Sequence, residues 1–85
     1  MSIFRTITQD TLNLVNSGAL DQATTRVGDL EHEWDIAQSR LKSMNPANWT
    51  EVDNAIDKVL RQLRAVNPNA ITCKSALEAL LKVVD

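Results

Sequence analysis

The apolar residues between positions 27 and 66 form two series that mirror each other about Pro46. Within each series the spacing alternates between three and four residues, which is typical of one face of an α-helix. The two series, together called the seam, are Val27, Leu30, Trp34, Ala37, Leu41 and Met44, and then Trp49, Val52, Ile56, Val59, Leu63 and Val66. In antiparallel helices joined by a short turn, positions equidistant from the turn lie level. The pattern therefore predicts a helical hairpin.

Turn-forming residues divide the chain into four predicted helices. Their predicted ranges are about 3–16, about 19–43, a third helix that ends near 66, and 70–84. Ser17-Gly18 ends the first helix, because glycine adopts the left-handed backbone conformation without steric cost. Asn45-Pro46 and Asn67-Pro68 separate the others, because proline lacks an N–H and disfavours helical geometry in the preceding residue.

The start of the third helix allows two capping arrangements. Asn48 and Glu51 have the spacing of a capping box. Asn45 is the alternative cap, with Pro46 as the first helical residue. The sequence leaves both arrangements open.

Apolar stripes predict that the first and fourth helices pack on the hairpin. The stripes are Ile3, Phe4, Ile7, Leu14 and Val15 in the first helix, and Ala70, Cys73, Leu77, Leu80 and Val84 in the fourth. The predicted fold class is all-α: a small antiparallel helical bundle of three longer helices plus a short N-terminal helix, built on the central helical hairpin. Residues 1–85 are expected to form one domain, because a chain of this length supports one modest core.

Composition supports this fold class and argues against several kinds of partner. Two glycines, two prolines and no tyrosine leave few turn signals for a protein of many short strands. A net charge of −2 with dispersed basic residues predicts no nucleic-acid surface. No stretch reaches the roughly 20 apolar residues of a membrane span. The lack of a signal peptide favours the cytoplasm, and the periplasm stays open if the chain is processed from a precursor.

The ionisable residues from Asp29 to Asp35 are the densest candidate for chemistry. Asp29, His32 and Glu33 share one helix face, but three ligands from one turn of helix select no metal, so no metal site is expected. His32-Glu33 also occurs on phosphorelay helices, which leaves histidine phosphotransfer as a further alternative. Cys73 is expected in the core as a reduced thiol. Because no nucleophile, base and oxyanion donor converge, we expect neither an enzyme nor a cofactor.

The outward face of the second helix is the predicted interaction surface. It comprises Gly28, Asp29, His32, Glu33, Asp35 and Ile36. Ile36 lies off the seam, and Gly28 costs about 1 kcal/mol of helix propensity relative to alanine, which close approach by another chain would explain. We therefore expect an interaction or scaffolding module that binds an unknown protein or a second copy of itself. The alternative is a ligand-sensing domain that holds a small molecule between helices near Trp34 and Trp49.

Two motifs of the hairpin resemble a group of short uncharacterised bacterial helical proteins. They are Val27-x-Asp29-Leu30-Glu31-x-x-Trp34-Asp35 and Trp49-x-x-Val52-Asp53-x-x-Ile56-Asp57, and the likeness extends through Leu60-x-x-Leu63-Arg64-Ala65 and Cys73-Lys74-x-Ala76-Leu77. The resemblance implies kinship and brings no activity or catalytic residues with it. Some of these proteins follow an export segment, so the resemblance leaves the compartment open.

Overall fold

Helices account for nearly all of the chain. The structure is a computed structural model that describes residues 2–84, apart from the side chains of Ser2 and Leu41. Within residues 2–84 it contains four helices and no strand: α1 (Ser2–Asn16), α2 (Leu20–Met44), α3 (Pro46–Leu63) and α4 (Ala70–Val84). The predicted all-α class is confirmed. Because α1 and α4 have 15 residues each, only two helices are long, whereas three were predicted.

Turn residues mark the end of α1 and the start of α3. Gly18 has a φ of 83°, which is the left-handed conformation predicted after α1. Asn45 caps α3, because its side-chain oxygen accepts the backbone N–H of Asn48 at 3.2 Å. Pro46 is the first residue of α3. Of the two arrangements that the sequence allows, the structure has the Asn45 cap.

The third helix ends at Leu63 rather than near Val66. Pro68 disfavours helical geometry at Asn67, which rules out a helix beyond Val66. The helix stops earlier than this limit, with Arg64 as its C-cap residue. Val66 then lies in the connecting loop and is 97% exposed, so its predicted place in the seam is wrong. Asn69 caps α4 through its side-chain oxygen.

Each helix packs against two others, and the core lies between them. α1 contacts α2 and α4, and α3 also contacts α2 and α4. The buried apolar residues are Phe4, Ile7, Leu12, Val15, Ala23, Val27, Leu30, Trp34, Val52, Ile56, Val59, Leu63, Cys73, Leu77, Leu80 and Val84. Thr8 and Thr11 are buried with them, and each hydroxyl donates to the carbonyl four residues earlier. The buried hydroxyls are therefore satisfied within α1.

The contacts across the hairpin scatter about the predicted register. The mirror pattern places Trp34 level with Val59, but the Trp34 indole N–H donates to Asp53 at 3.0 Å. Thr24, predicted level with residue 69, contacts the carbonyl of Leu63 at 3.4 Å. Both partners lie six residues before the predicted position, whereas Arg64, which contacts Glu31, lies two residues beyond its predicted position. Hydrophobic periodicity identifies the face that a helix buries but not its axial offset.

The end of the hairpin extends beyond α1 and α4. Phe4, near the start of α1, contacts Trp34, and Val83, near the end of α4, lines the same groove as Glu51. We call residues 38–47, which lie past these levels, the hairpin tip. Met44 in the tip is 75% exposed, so its predicted place in the seam is also wrong. The described side chains from Gln38 to Ala47 are all exposed, so this end of α2 lies outside the core.

Candidate functional site

The six residues predicted as an interaction surface lie on one side of α2, which we call the α2 outer face. Asp29, His32, Asp35 and Ile36 are exposed, while Gly28 and Glu33 are half-buried. They lie together because steps of three, four and seven residues return to one side of a helix. Ile36 is 63% exposed, which is unusual beside the buried aliphatic residues of the same helix.

Asp29 is partly committed to the fold. Arg26 donates to Asp29 and to Asp10 of α1, with both nitrogen–oxygen distances at 3.0 Å. The hydrogen bonds that Arg26 donates to Asp29 and Asp10 raise its pKa above the ordinary arginine value. Because these groups are substantially exposed, each ion pair contributes only about 0.2–1 kcal/mol to stability. Asp29 thus orients one edge of the α2 outer face and keeps its charge at the surface.

A second ion pair on α2 was not predicted. The guanidinium of Arg64 contacts both carboxylate oxygens of Glu31, at 3.0 and 3.4 Å. The mirror pattern could have predicted this pair, because it places Glu31 level with Gln62, two residues before Arg64. This bidentate contact ties the middle of α2 to the end of α3 and removes Glu31 from the set of free acids.

The remaining ionisable residues of the α2 outer face are unpaired. His32, Glu33 and Asp35 make no side-chain hydrogen bond or ion pair with another residue in the described part of the chain. Across residues 2–84, no three His, Cys, Asp or Glu side chains meet in a group that could hold a metal ion. His32 is exposed, and histidine phosphotransfer stays an untested alternative for it.

Gly28 leaves an open space on the outward side of α2. A Cβ atom added at Gly28 would meet no described atom within 4 Å. Packing inside the molecule therefore does not require glycine at this position.

Two exposed residues further along α2 were not predicted as part of this surface. Arg40 and Met44 continue the four-residue spacing that begins at Gly28 and passes through His32 and Ile36. Residues at this spacing form a ridge on a helix surface, and we call these five the outer ridge. Arg40 is exposed and makes no side-chain ion pair within residues 2–84. Extending the spacing past Ile36 was the signal that could have found both residues.

The two tryptophans are stacked on each other. Their ring centroids are 6.0 Å apart with planes at 17°, and the Phe4 ring meets Trp34 edge-on at 5.4 Å. The Lys42 ammonium lies 5.0 Å from the centre of the Trp49 ring. The rings of Trp34 and Trp49, between which a ligand was predicted, thus contact each other and the side chains of Phe4 and Lys42. The indole N–H of Trp49, however, is buried and has no acceptor among the described residues.

Cavities elsewhere on the surface are shallow. One of about 450 Å³ lies between α1 and α2 and is lined by Asp10, Asn13, Leu14, Ser17 and Arg26. A groove of about 270 Å³ runs between α3 and α4, past Ala55 and Ala76. Neither includes a tryptophan. Cys73 is buried in the core, where desolvation raises the pKa of its thiol.

Comparisons with known proteins gave no match to a family model, to a curated protein or to a solved structure. Among the described residues, no helix combines the length and apolar character needed to cross a membrane.

Proposed function

We propose that the protein is a small non-enzymatic interaction module that binds another protein through the α2 outer face. The observation that carries this proposal is the exposed Ile36 beside His32, Glu33 and Asp35, whose side chains have no partner in the described part of the chain. An apolar centre with a polar rim is the usual anatomy of a protein interface.

The proposal includes an antiparallel helical bundle built on the hairpin of α2 and α3. Support comes from the hydrogen bonds that join the start of α2 to the end of α3 and the middle of α2 to the first turns of α3. In such a bundle α2 contacts its neighbours on one side only, and its other side stays available. Kinship with the short bacterial helical proteins that share its motifs is also part of the proposal.

Charge favours a partner with basic groups. Glu33 and Asp35 are unpaired, and Asp29 is only partly neutralised by Arg26. Oppositely charged surfaces accelerate association, and their attraction weakens as salt screens it over about 8–10 Å. Binding through this face should therefore weaken at high ionic strength.

A matched pair of variants tests the proposal. The immobilised protein is exposed to a lysate of the source organism, in parallel with Ile36→Glu and Ile71→Glu. Ile71 is 78% exposed on α4, so both variants place one carboxylate at an exposed isoleucine. We expect captured protein to be lost with Ile36→Glu and retained with Ile71→Glu. Equal capture by both variants would contradict the proposed surface.

A ligand-sensing domain is the second candidate, and the buried N–H of Trp49 is the observation that favours it. A buried donor without an acceptor costs about 1–3 kcal/mol, and a ligand carbonyl at that position would satisfy it. Thermal-shift screening with carbonyl-bearing small molecules tests this candidate. A genuine ligand should stabilise the protein but not Trp49→Phe, which keeps an aromatic ring and removes the donor.

A further inference from the structure

We propose that the indole of Trp49 alternates between the stacked position of the structure and a second side-chain rotamer, and that this movement uncovers the ring of Trp34. The inference rests on contacts within the chain, so it stands independently of the α2 outer face. It also gives the ligand of the second candidate function a route to the N–H of Trp49, which is enclosed in the stacked position.

The two tryptophans are held in different ways. Trp34 is buried, and its indole N–H donates to Asp53 at 3.0 Å. Trp49 is only half-buried, yet its indole N–H is enclosed and has no acceptor among the described residues. Such a donor has lost its hydrogen bonds to water and gained none from the protein. Trp49 is therefore the member of the pair that gains a hydrogen bond by moving.

Two contacts hold the Trp49 ring in its stacked position. The ring centroid lies 6.0 Å from that of Trp34, and the Lys42 ammonium lies 5.0 Å from it on an exposed side chain. Aromatic stacking and an exposed cation–π contact each stabilise a structure by no more than an unpaired buried donor costs. The stacked and rotated positions are therefore close in free energy, and both are populated.

The surroundings of Trp49 leave room for a rotation of its side chain. It borders the hairpin tip, whose described side chains are exposed, and the flexible stem of Lys42 moves aside easily. The backbone of Trp49 stays fixed, because its N–H donates to the carbonyl of Asn45 at 2.9 Å. Aromatic residues in helices adopt two χ1 rotamers. The second rotamer turns the indole away from Trp34 and brings its N–H to water.

The rotation uncovers one face of Trp34 without releasing that residue. Trp34 keeps its hydrogen bond to Asp53 and its edge contact with Phe4, since neither contact involves Trp49. A fixed aromatic face is then exposed between α2 and α3. Access to it is controlled by one side chain.

Hydrogen exchange of the two indole N–H groups, followed by NMR of the ¹⁵N-labelled chain, tests the inference. Trp34→Phe and Trp49→Phe each remove one indole signal and so assign the pair. If both rings were static, both N–H groups would exchange only when the domain opens around them. We expect the Trp49 N–H to exchange at least about tenfold faster than the Trp34 N–H. Equal rates, or a slower rate at Trp49, overturn the inference.

Backbone exchange in the same samples distinguishes rotation of the side chain from opening of the turn. The backbone N–H groups of residues 50–53 donate within the first turns of α3, and rotation of the indole leaves these bonds intact. We therefore expect lower protection at the Trp49 indole than at these backbone groups, each measured against an unstructured peptide. Equal protection would show that the whole turn opens, which overturns a movement of the side chain alone.

Variants of Lys42 test the contact above the ring. Lys42→Ala removes the cation and should speed exchange of the Trp49 indole by about two- to fivefold, with no change at Trp34. Lys42→Arg keeps a cation and should retain the unmodified rate. Lys74→Ala removes an exposed lysine of α4 as the charge-matched control and should alter neither indole. Equal rates in Lys42→Ala and Lys74→Ala overturn the balance of contacts on which the inference rests.

The outcomes are separate from those that test the proposed function. Loss of a captured partner in Ile36→Glu concerns the α2 outer face and does not depend on the exchange rate at Trp49. If a small molecule stabilises the protein through Trp49 while the two indoles exchange equally, the second candidate function stands and the rotation is overturned.

Discussion

Trp34 makes three kinds of contact with residues of two other helices. It is buried, with 3% of its surface exposed, and its indole N–H donates to Asp53 at 3.0 Å. It meets Phe4 edge-on and stacks with Trp49. A single side chain thus joins α1, α2 and α3 at the point where the hairpin tip leaves the bundle.

Replacing Trp34 with alanine should come close to unfolding the protein. Loss of a buried tryptophan costs about 3–5 kcal/mol, against a total of roughly 4–13 kcal/mol for a domain of this size. Urea unfolding followed by circular dichroism measures the change. Trp34→Phe, which keeps a ring but loses the bond to Asp53, should lose less. Native stability in Trp34→Ala would mean that the contacts around this ring are not formed.

Cys73 should react slowly with thiol reagents in the folded protein. It is fully buried, and burial raises the pKa of its thiol, so both access and the thiolate fraction are reduced. Labelling with a chromogenic disulfide should be slow in buffer and fast in urea. Fast labelling of the folded chain would place Cys73 at the surface.

The same pKa shift gives a pH dependence of stability. Because the folded-state pKa of Cys73 is raised, the unfolded chain loses its thiol proton first, and the free energy of unfolding falls as pH rises from the ordinary thiol value of about 8.5. Its contribution is fully present below that pH. Chemical unfolding at several pH values between about 7 and 10 tests this, and Cys73→Ala should show a smaller decline.

At the scale of elements, periodicity predicted which helices exist and which faces they bury. It could not locate the end of α3, because the apolar pattern continues through Val66 whereas the helix stops at Leu63. It also could not fix the axial offset of α2 against α3, whose contacts lie between six residues before and two residues beyond the predicted positions. The choice between Asn45 and Asn48 as the cap of α3 required the three-dimensional structure.

The two asparagines of the turn should differ in their effect on stability. Asn45→Ala removes the side chain that accepts an N–H at the start of α3 and should cost about 1 kcal/mol. Asn48→Ala removes no capping bond and should cost clearly less. Urea midpoints of both variants at equal protein concentration provide the comparison. A larger loss in Asn48→Ala would restore the capping-box arrangement.

At the scale of the whole molecule, the shape follows from the length of one helix. α2 has 25 residues, or about 37 Å at 1.5 Å per residue, and the longest dimension of the molecule is 37 Å. The sequence located the α2 outer face because Ile36 and Gly28 depart from a regular solvated pattern. Arg40 and Met44 were missed because the mirror pattern assigns Met44 to the seam, and the tip's lack of cover is a tertiary property.

The hairpin tip should open more readily than the rest of α2. The described side chains of residues 38–47 are exposed, so their backbone hydrogen bonds have little buried apolar surface to protect them. Hydrogen exchange followed by mass spectrometry should show faster exchange in residues 38–47 than in residues 23–34. Uniform exchange along α2 would indicate that the tip is covered.

The order in which the helices touch has a consequence for the speed of folding. Among the described residues, three of the four closely packed helix pairs are neighbours along the chain, and the fourth, α1 with α4, joins distant segments. Mainly local contacts give a low contact order, and helical proteins of this kind fold in about microseconds to milliseconds. The docking of α1 on α4 is then the step that closes the largest loop. Stopped-flow or temperature-jump relaxation should therefore show one fast folding phase. Substitutions in the α1–α4 contact should slow the folding rate only if this contact is already formed in the transition state.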